Sequence, residues 1–205
     1  MNVLESDTGL KKETGYSQKT NGQYTYHDNS SATDTNNSLG LPKSDLPENK
    51  DVKGYMHTHV DNYTYYDTLE QTDVTRYGIK IFSPADMVYF MDMVKNAQDG
   101  GRPLGDVYAV MISSNINYQI RFTGNQYQIK TFTQAQNDIF RDLYKDNMKD
   151  RIGNQKSLEL GFLQFINNLM NLRSISLFRM NANGTNTEIS LNTDKTDTIE
   201  TNCLN

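Results

Sequence analysis

Apolar positions along the chain change period several times, and the changes mark the elements. Residues 52–60, Val-Lys-Gly-Tyr-Met-His-Thr-His-Val, are bounded by polar stretches and read as a buried strand. Met87, Phe90, Met91 and Val94 then recur at helical spacing. Pro84 stands at the first helical position, where its missing N–H costs nothing, and Gly100-Gly101 is a stop, so a helix is predicted over 84–97. Two Tyr/Thr-rich runs over 16–26 surround Asn21-Gly22, a strong short-range hairpin signal. Residues 107–113 and 118–122 are further strands, and Gly124-Asn125 turns the chain into a run at 127–131. Residues 133–148 are amphipathic (Ile139, Phe140, Leu143, Tyr144), and 157–172 form a second, more apolar helix. Residues 174–180 and 188–191 flank Asn183-Gly184 and predict a closing hairpin.

Three stretches lack such patterning. Residues 1–12 hold few apolar side chains and predict at most a short amphipathic turn or two. Residues 28–50 are Ser, Asn, Asp, Thr and Pro with almost nothing to bury, hence a loop. Residues 61–77, rich in Tyr, Thr and acids without clear periodicity, are expected to be a surface loop or flap. Early interleaving of strands and helices, followed by helix, helix and hairpin, predicts an α+β fold: a mixed three-layer core with a C-terminal helix and β-hairpin extension.

Composition narrows the function classes. The 205 residues suffice for one sizeable core, and a net charge of -5 without a Lys/Arg run argues against a nucleic-acid partner. Mean hydropathy is -0.73. No window approaches the roughly 20 apolar residues needed to span a bilayer, so no membrane span is expected. Residues 1–12 lack the apolar run of a signal peptide. The single cysteine, Cys203, excludes an internal disulfide framework and a Cys-rich metal site, and it reads as a bystander.

Chemistry concentrates between Gly54 and Asp86. His57 and His59 are two apart on a predicted strand, so both imidazoles leave the same face and can reach one ion. Asp86 lies in the first turn of the predicted helix, where a short carboxylate can point back toward the strand. Two neutral imidazoles, one carboxylate and an open fourth position suit catalytic zinc. Ser83-Pro-Ala-Asp86 also has the pattern of a helix N-cap resembling a capping box, and capping is compatible with ligation. His27, the remaining histidine, is read as a hairpin residue, and the acids Asp61, Asp67, Glu70 and Asp73 as a solvated loop.

His57-Thr-His59 followed by Ser83-Pro-Ala-Asp86 resembles the motif of the JAB/MPN (JAMM) metallopeptidases. The resemblance spans roughly residues 13–122 and implies a JAB/MPN-like, cytidine-deaminase-like core over 1–132, with 133–205 packed on it. It implies zinc bound by His57, His59 and Asp86, oxyanion support from Ser83, and an upstream glutamate as general base. Glu13 suits the family order, with Glu48 and Glu5 as the other candidates. The implied activity is zinc-dependent hydrolysis of peptide or isopeptide bonds in a peptide or protein substrate. Two departures stand out: Val60 replaces the usual Pro after the second histidine, and the stretch between His59 and Ser83 is much longer than in the eukaryotic deubiquitinating members. The closing part is similar to JAB-like modules at the C-termini of large bacterial surface or toxin-type proteins. That similarity implies a longer, secreted or cell-surface parent and a cognate inhibitor protein. The alternatives are a catalytically inactive JAB-like scaffold that binds a protein partner, and a toxin or effector domain of a larger bacterial protein using the same chemistry.

Overall fold

Asn21-Gly22 reverses the chain as its residue types require. Gly22 takes φ 87° and joins β1 (Gly15–Lys19) to β2 (Tyr24–His27) as an antiparallel hairpin. Coordinates come from a computed structural model, which describes residues 4, 12–29 and 39–203. The expectation for residues 1–12 therefore lies, apart from Leu4 and Lys12, outside the described residues, and so do Glu5 and residues 30–38 of the polar loop.

Strand β3 (Val52–Thr58) pairs antiparallel with β1 and parallel with β6 (Tyr108–Ile112). Helix α1 (Pro84–Asp99) lies in the crossover between these parallel neighbours. Its start is set by Ser83 at the N-cap and its end by Gly100, with Gly101 at φ 64°. Antiparallel β7 (Asn117–Phe122), β8 (Ile175–Met180), β9 (Asn186–Leu191) and β10 (Thr198–Asn202) extend the sheet beyond β6. The result is an eight-stranded mixed sheet in the order β10-β9-β8-β7-β6-β3-β1-β2. The C-terminal hairpin is thus a continuation of the main sheet through β7, and it gains a third strand, β10, that the sequence pattern did not announce.

Helices α1, α2 (Gln134–Met148) and α3 (Gln155–Asn168) share one core with the alternate residues of β3, β6 and β7. Tyr55, Ala109, Met111, Tyr118 and Ile120 supply the sheet side, and Phe90, Met91, Tyr144, Phe162 and Phe165 the helix side. Full burial of each large apolar side chain contributes roughly 1.5–3 kcal/mol. Val110 and Ile112, of opposite parity on β6, form a smaller cluster with Leu4. The observed fold is α+β, a mixed sheet flanked by helices.

One sequence expectation needs correction. Residues 61–77 are not an irregular loop: β4 (Tyr63–Asp67) and β5 (Thr72–Arg76) pair as a separate two-stranded hairpin. Its Tyr and Thr residues favour the pleated conformation, while the Asp67 Oδ1 accepts from the Leu69 and Glu70 N–H groups to make the turn. Periodicity was obscure because neither face is fully buried. After the expected turn at Gly124-Asn125, Gln126–Gln128 is a single 3-10 turn capped by Asn125.

Candidate metal centre

Strand parity brings the site together. Gly15 on β1 is the register partner of both His27 on β2 and His57 on β3, so these three lie on the helix-facing side of the sheet. Tyr55, His57 and His59 follow one another on that side. The first residues of α1 pack opposite, held by two buried tyrosines: Tyr55 Oη donates to the Asp86 carbonyl at 3.0 Å, and Tyr144 Oη donates to the Phe82 carbonyl at 2.8 Å. Burial pushes both phenol pKa values up, and the Asp86 charge pushes them further, so both stay protonated donors.

His57, His59 and Asp86 converge with 3%, 9% and 8% of their surface exposed. The two Nε2 atoms are 3.0 Å apart. His57 Nε2 lies 3.2 Å from Asp86 Oδ1, and His59 Nε2 3.6 Å from Asp86 Oδ2. A tetrahedral ion with bonds of 2.0–2.1 Å separates its ligands by about 3.3 Å, which falls within the range of these three distances. The donor set, two imidazoles and a carboxylate, and its spacing therefore fit a divalent metal ion.

Second contacts orient the ligands unequally. His59 Nδ1 is 2.7 Å from the Ile79 carbonyl, which can only accept, so Nδ1 carries the proton and Nε2 presents its lone pair to the cluster when the ring is neutral. His57 Nδ1 is buried without a hydrogen-bond partner among the described residues. Asp86 is fixed by the capping box: Ser83 N–H donates to Asp86 Oδ2 at 2.7 Å, and Ser83 Oγ accepts from the Asp86 N–H at 3.3 Å. Both readings of Ser83-Pro-Ala-Asp86 are thus realised in geometry, the cap and the inward carboxylate.

The charges are strongly coupled. Burial lowers the His59 pKa, but the Asp86 hydrogen bond and the Glu13 and Asp86 charges outweigh it and raise it to about 9. Burial works against the Asp86 anion, yet the histidines hold its carboxyl well below the usual range. An anion is therefore permanent at this point of the molecule, as a cation site requires.

Glu13 belongs to the same neighbourhood without being one of the three converging ligands. It precedes β1, where Thr58 N–H donates to the Thr14 carbonyl at 2.9 Å, and its Oε2 accepts from the Leu39 N–H at 3.0 Å. Gly15 is required here: a Cβ would stand 2.5 Å from the Met56 carbonyl oxygen and 2.7 Å from Leu39 Cδ2. Glu48 is exposed on a 3-10 turn (Pro47–Asn49), where its backbone carbonyl, not its carboxylate, accepts from Lys19 Nζ. His27 is outside the cluster and shares a 2.9 Å hydrogen bond with Ser17 Oγ.

Sequence reasoning missed the two tyrosine anchors. Tyr55 carried a readable signal, being of the same parity as the histidines and two residues before the first; Tyr144 carried none, since its partner Phe82 lies 62 positions away in the chain. No protein-family model, curated protein or solved structure matches this chain.

Proposed function

We propose that the protein is a zinc-dependent hydrolase of peptide or isopeptide bonds with a JAB/MPN-like arrangement of its site. The convergence of His57 Nε2, His59 Nε2 and an Asp86 carboxylate oxygen at tetrahedral spacing carries this reading. Its order along the chain, His-x-His on a strand and Ser-x-x-Asp opening a helix, supports the family assignment. When bound, zinc supplies a Lewis acid that makes a water acidic enough to attack near neutral pH.

The chain's own residues do the rest. Glu13 takes the proton of the attacking water on its carboxylate and delivers it to the leaving amine; it is close enough for its charge to act on His59 and sits outside the ligand triad, as a base acting through water must. Ser83, adjoining Asp86 at the helix N-terminus, supports the oxyanion that develops on the substrate carbonyl. The Leu39 N–H holds Glu13 in place. A peptide or protein chain is the substrate.

The test is elemental analysis of the protein purified without added metal, followed by a peptide and isopeptide library screened with and without chelator. Near-stoichiometric zinc and chelator-sensitive cleavage are expected. Stoichiometric zinc with no cleavage of any member would replace the enzyme by a binding scaffold, and absence of zinc uptake would overturn the reading altogether.

A further inference from the structure

The segment joining β3 to α1 leaves the sheet and returns to it through a narrow neck. On the outgoing side, His59 N–H donates to the Ile112 carbonyl at 2.8 Å, so the chain is still aligned with β6 as it departs. Across the neck, Asn62 Oδ1 accepts from the Gly78 N–H at 2.9 Å. The approach is too close for a side chain, because a Cβ on Gly78 would stand 2.3 Å from the Val60 carbonyl oxygen. Hairpin β4–β5 lies wholly outside this constriction, and Leu69 at its turn is 90% exposed.

Three side chains close the neck. Lys80 Nζ donates to Asp61 Oδ1 at 2.5 Å and to Ser114 Oγ at 2.7 Å, and Ser114 Oγ donates to the same Asp61 oxygen at 2.5 Å. They come from separate places: Asp61 follows β3, Lys80 precedes α1, and Ser114 follows β6. The triangle therefore ties the exit, the return and the neighbouring parallel strand to one another. Ile79 is held between Gly78 and Lys80, both anchored in this way, and the Ile79 carbonyl accepts from His59 Nδ1 at 2.7 Å.

We propose that Asp61, Lys80 and Ser114 are positioning residues of the metal centre: they hold the Ile79 carbonyl so that it fixes the proton on His59 Nδ1 and aims Nε2 at the ion, while the hairpin beyond them is dispensable for metal binding. The proposal rests on the metal-centre reading above. An isolated ion pair at the surface contributes little to stability. Loss of an outer contact to a ligating histidine, in contrast, typically costs 10–100-fold in metal affinity. The two roles are separable by experiment.

Zinc affinity is measured by competition with a chromophoric chelator for four full-length proteins: wild type, Lys80→Met, Asp61→Asn, and a variant in which residues 64–75 are replaced by Asn-Gly. Solvent exchange of the His59 Nδ1 proton is followed by NMR in the zinc-loaded forms. Lys80→Met and Asp61→Asn are expected to weaken zinc 10–100-fold and to speed that exchange, with melting temperatures close to wild type. The shortened hairpin is expected to bind zinc as wild type does. Wild-type affinity and a protected Nδ1 proton in both clasp variants would overturn the positioning role. A folded short-hairpin variant that loses zinc would overturn the dispensability of the hairpin. Failure of the wild type itself to bind zinc would sink the metal reading, and the clasp with it; should Lys80→Met not fold, Asp61→Asn, nearly isosteric, decides the matter.

Discussion

Tyr55 donates its hydroxyl proton to the backbone carbonyl of Asp86, 3.0 Å away and fully buried. The bond joins the strand that carries the two histidines to the helix that carries the carboxylate, so it sets the gap between the three candidate ligands. Removing the hydroxyl in Tyr55→Phe leaves the Asp86 carbonyl with its helical donor alone, a loss of about 0.5–1.5 kcal/mol. Thermal denaturation is expected to show the lower stability, and zinc titration a weaker affinity. Unchanged zinc affinity would mean that the gap is held by packing alone.

Ligand removal has a clear expectation. His57→Ala or Asp86→Asn should abolish stoichiometric zinc while α1 and β3 persist by circular dichroism. In the wild type, zinc at a hundred times its dissociation constant should add about 2.7 kcal/mol to the unfolding free energy, and chelator should remove it. A double His57→Ala, His59→Ala variant that retains full zinc would refute the site.

The pH dependence of the metal-free protein has an unusual sign. His59 is raised from the ordinary imidazole value of 6.5 to about 9 on folding. Its protonation thus contributes stability that is fully present below pH 6.5 and is lost as pH rises through about 9. Asp86 is depressed, so its contribution is present above the ordinary carboxyl range and is lost in acid. Zinc needs the deprotonated imidazole, so metal affinity should rise over the same interval in which the metal-free fold weakens. Urea melts with and without zinc at pH 6, 7.5 and 9 would show the two trends diverging.

Glu13→Gln separates catalysis from binding. The amide keeps the shape and can still meet the Leu39 N–H through its oxygen, but it cannot take a proton. Zinc should stay bound and turnover of a cleavable peptide should fall by roughly 10²–10⁴-fold. Glu48→Gln, on the exposed turn, should change neither.

A buried network on the other side of the core gives a stability prediction. Glu159 of α3 is 0% exposed and accepts from Arg179 Nη2 at 2.8 Å and from Tyr118 Oη at 2.7 Å. Arg179→Met would leave that carboxylate without its cation, which costs about 3–5 kcal/mol. The double variant Glu159→Met, Arg179→Met should recover most of the loss, measured as the denaturant midpoint. An Arg179→Met protein as stable as wild type would show that the pair has no structural role.

The convergence of His57, His59 and Asp86 was legible because each residue obeys a local rule. His57 and His59 share a strand face by the period of two, and Asp86 follows Ser83 and Pro84 in a helix-start pattern whose third residue turns back. The hairpins at Asn21-Gly22 and Asn183-Gly184 were legible for the same reason. What stayed hidden depends on partners distant in sequence. Tyr144 reaches Phe82 across 62 positions, and Lys80 reaches Ser114 across 34. Glu159 sits in an apolar helix, and its main partners, Tyr118 on β7 and Arg179 on β8, are distant in sequence. Hairpin β4–β5 hid because half-exposed strands leave no clean alternation of apolar and polar residues.

Among the described strands, β3 and β6 form the one parallel pair, with Gly54 opposite Tyr108. Every other pairing in the main sheet is antiparallel, and several are between strands close in sequence that can zip early. The parallel register needs the whole intervening chain, α1 and Asp86 included, to be laid down, and such distant contacts form slowly. The parallel register therefore predicts that His57, His59 and Asp86 come face to face late in folding, in a geometry not yet formed in the transition state. Zinc in the refolding buffer is then expected to leave the folding limb of the chevron unchanged and to slow unfolding, a difference that tyrosine fluorescence can follow in a chain without tryptophan. A zinc ion bound this late would place its whole stabilisation in slower unfolding, so the gain in equilibrium stability would be read as kinetic persistence.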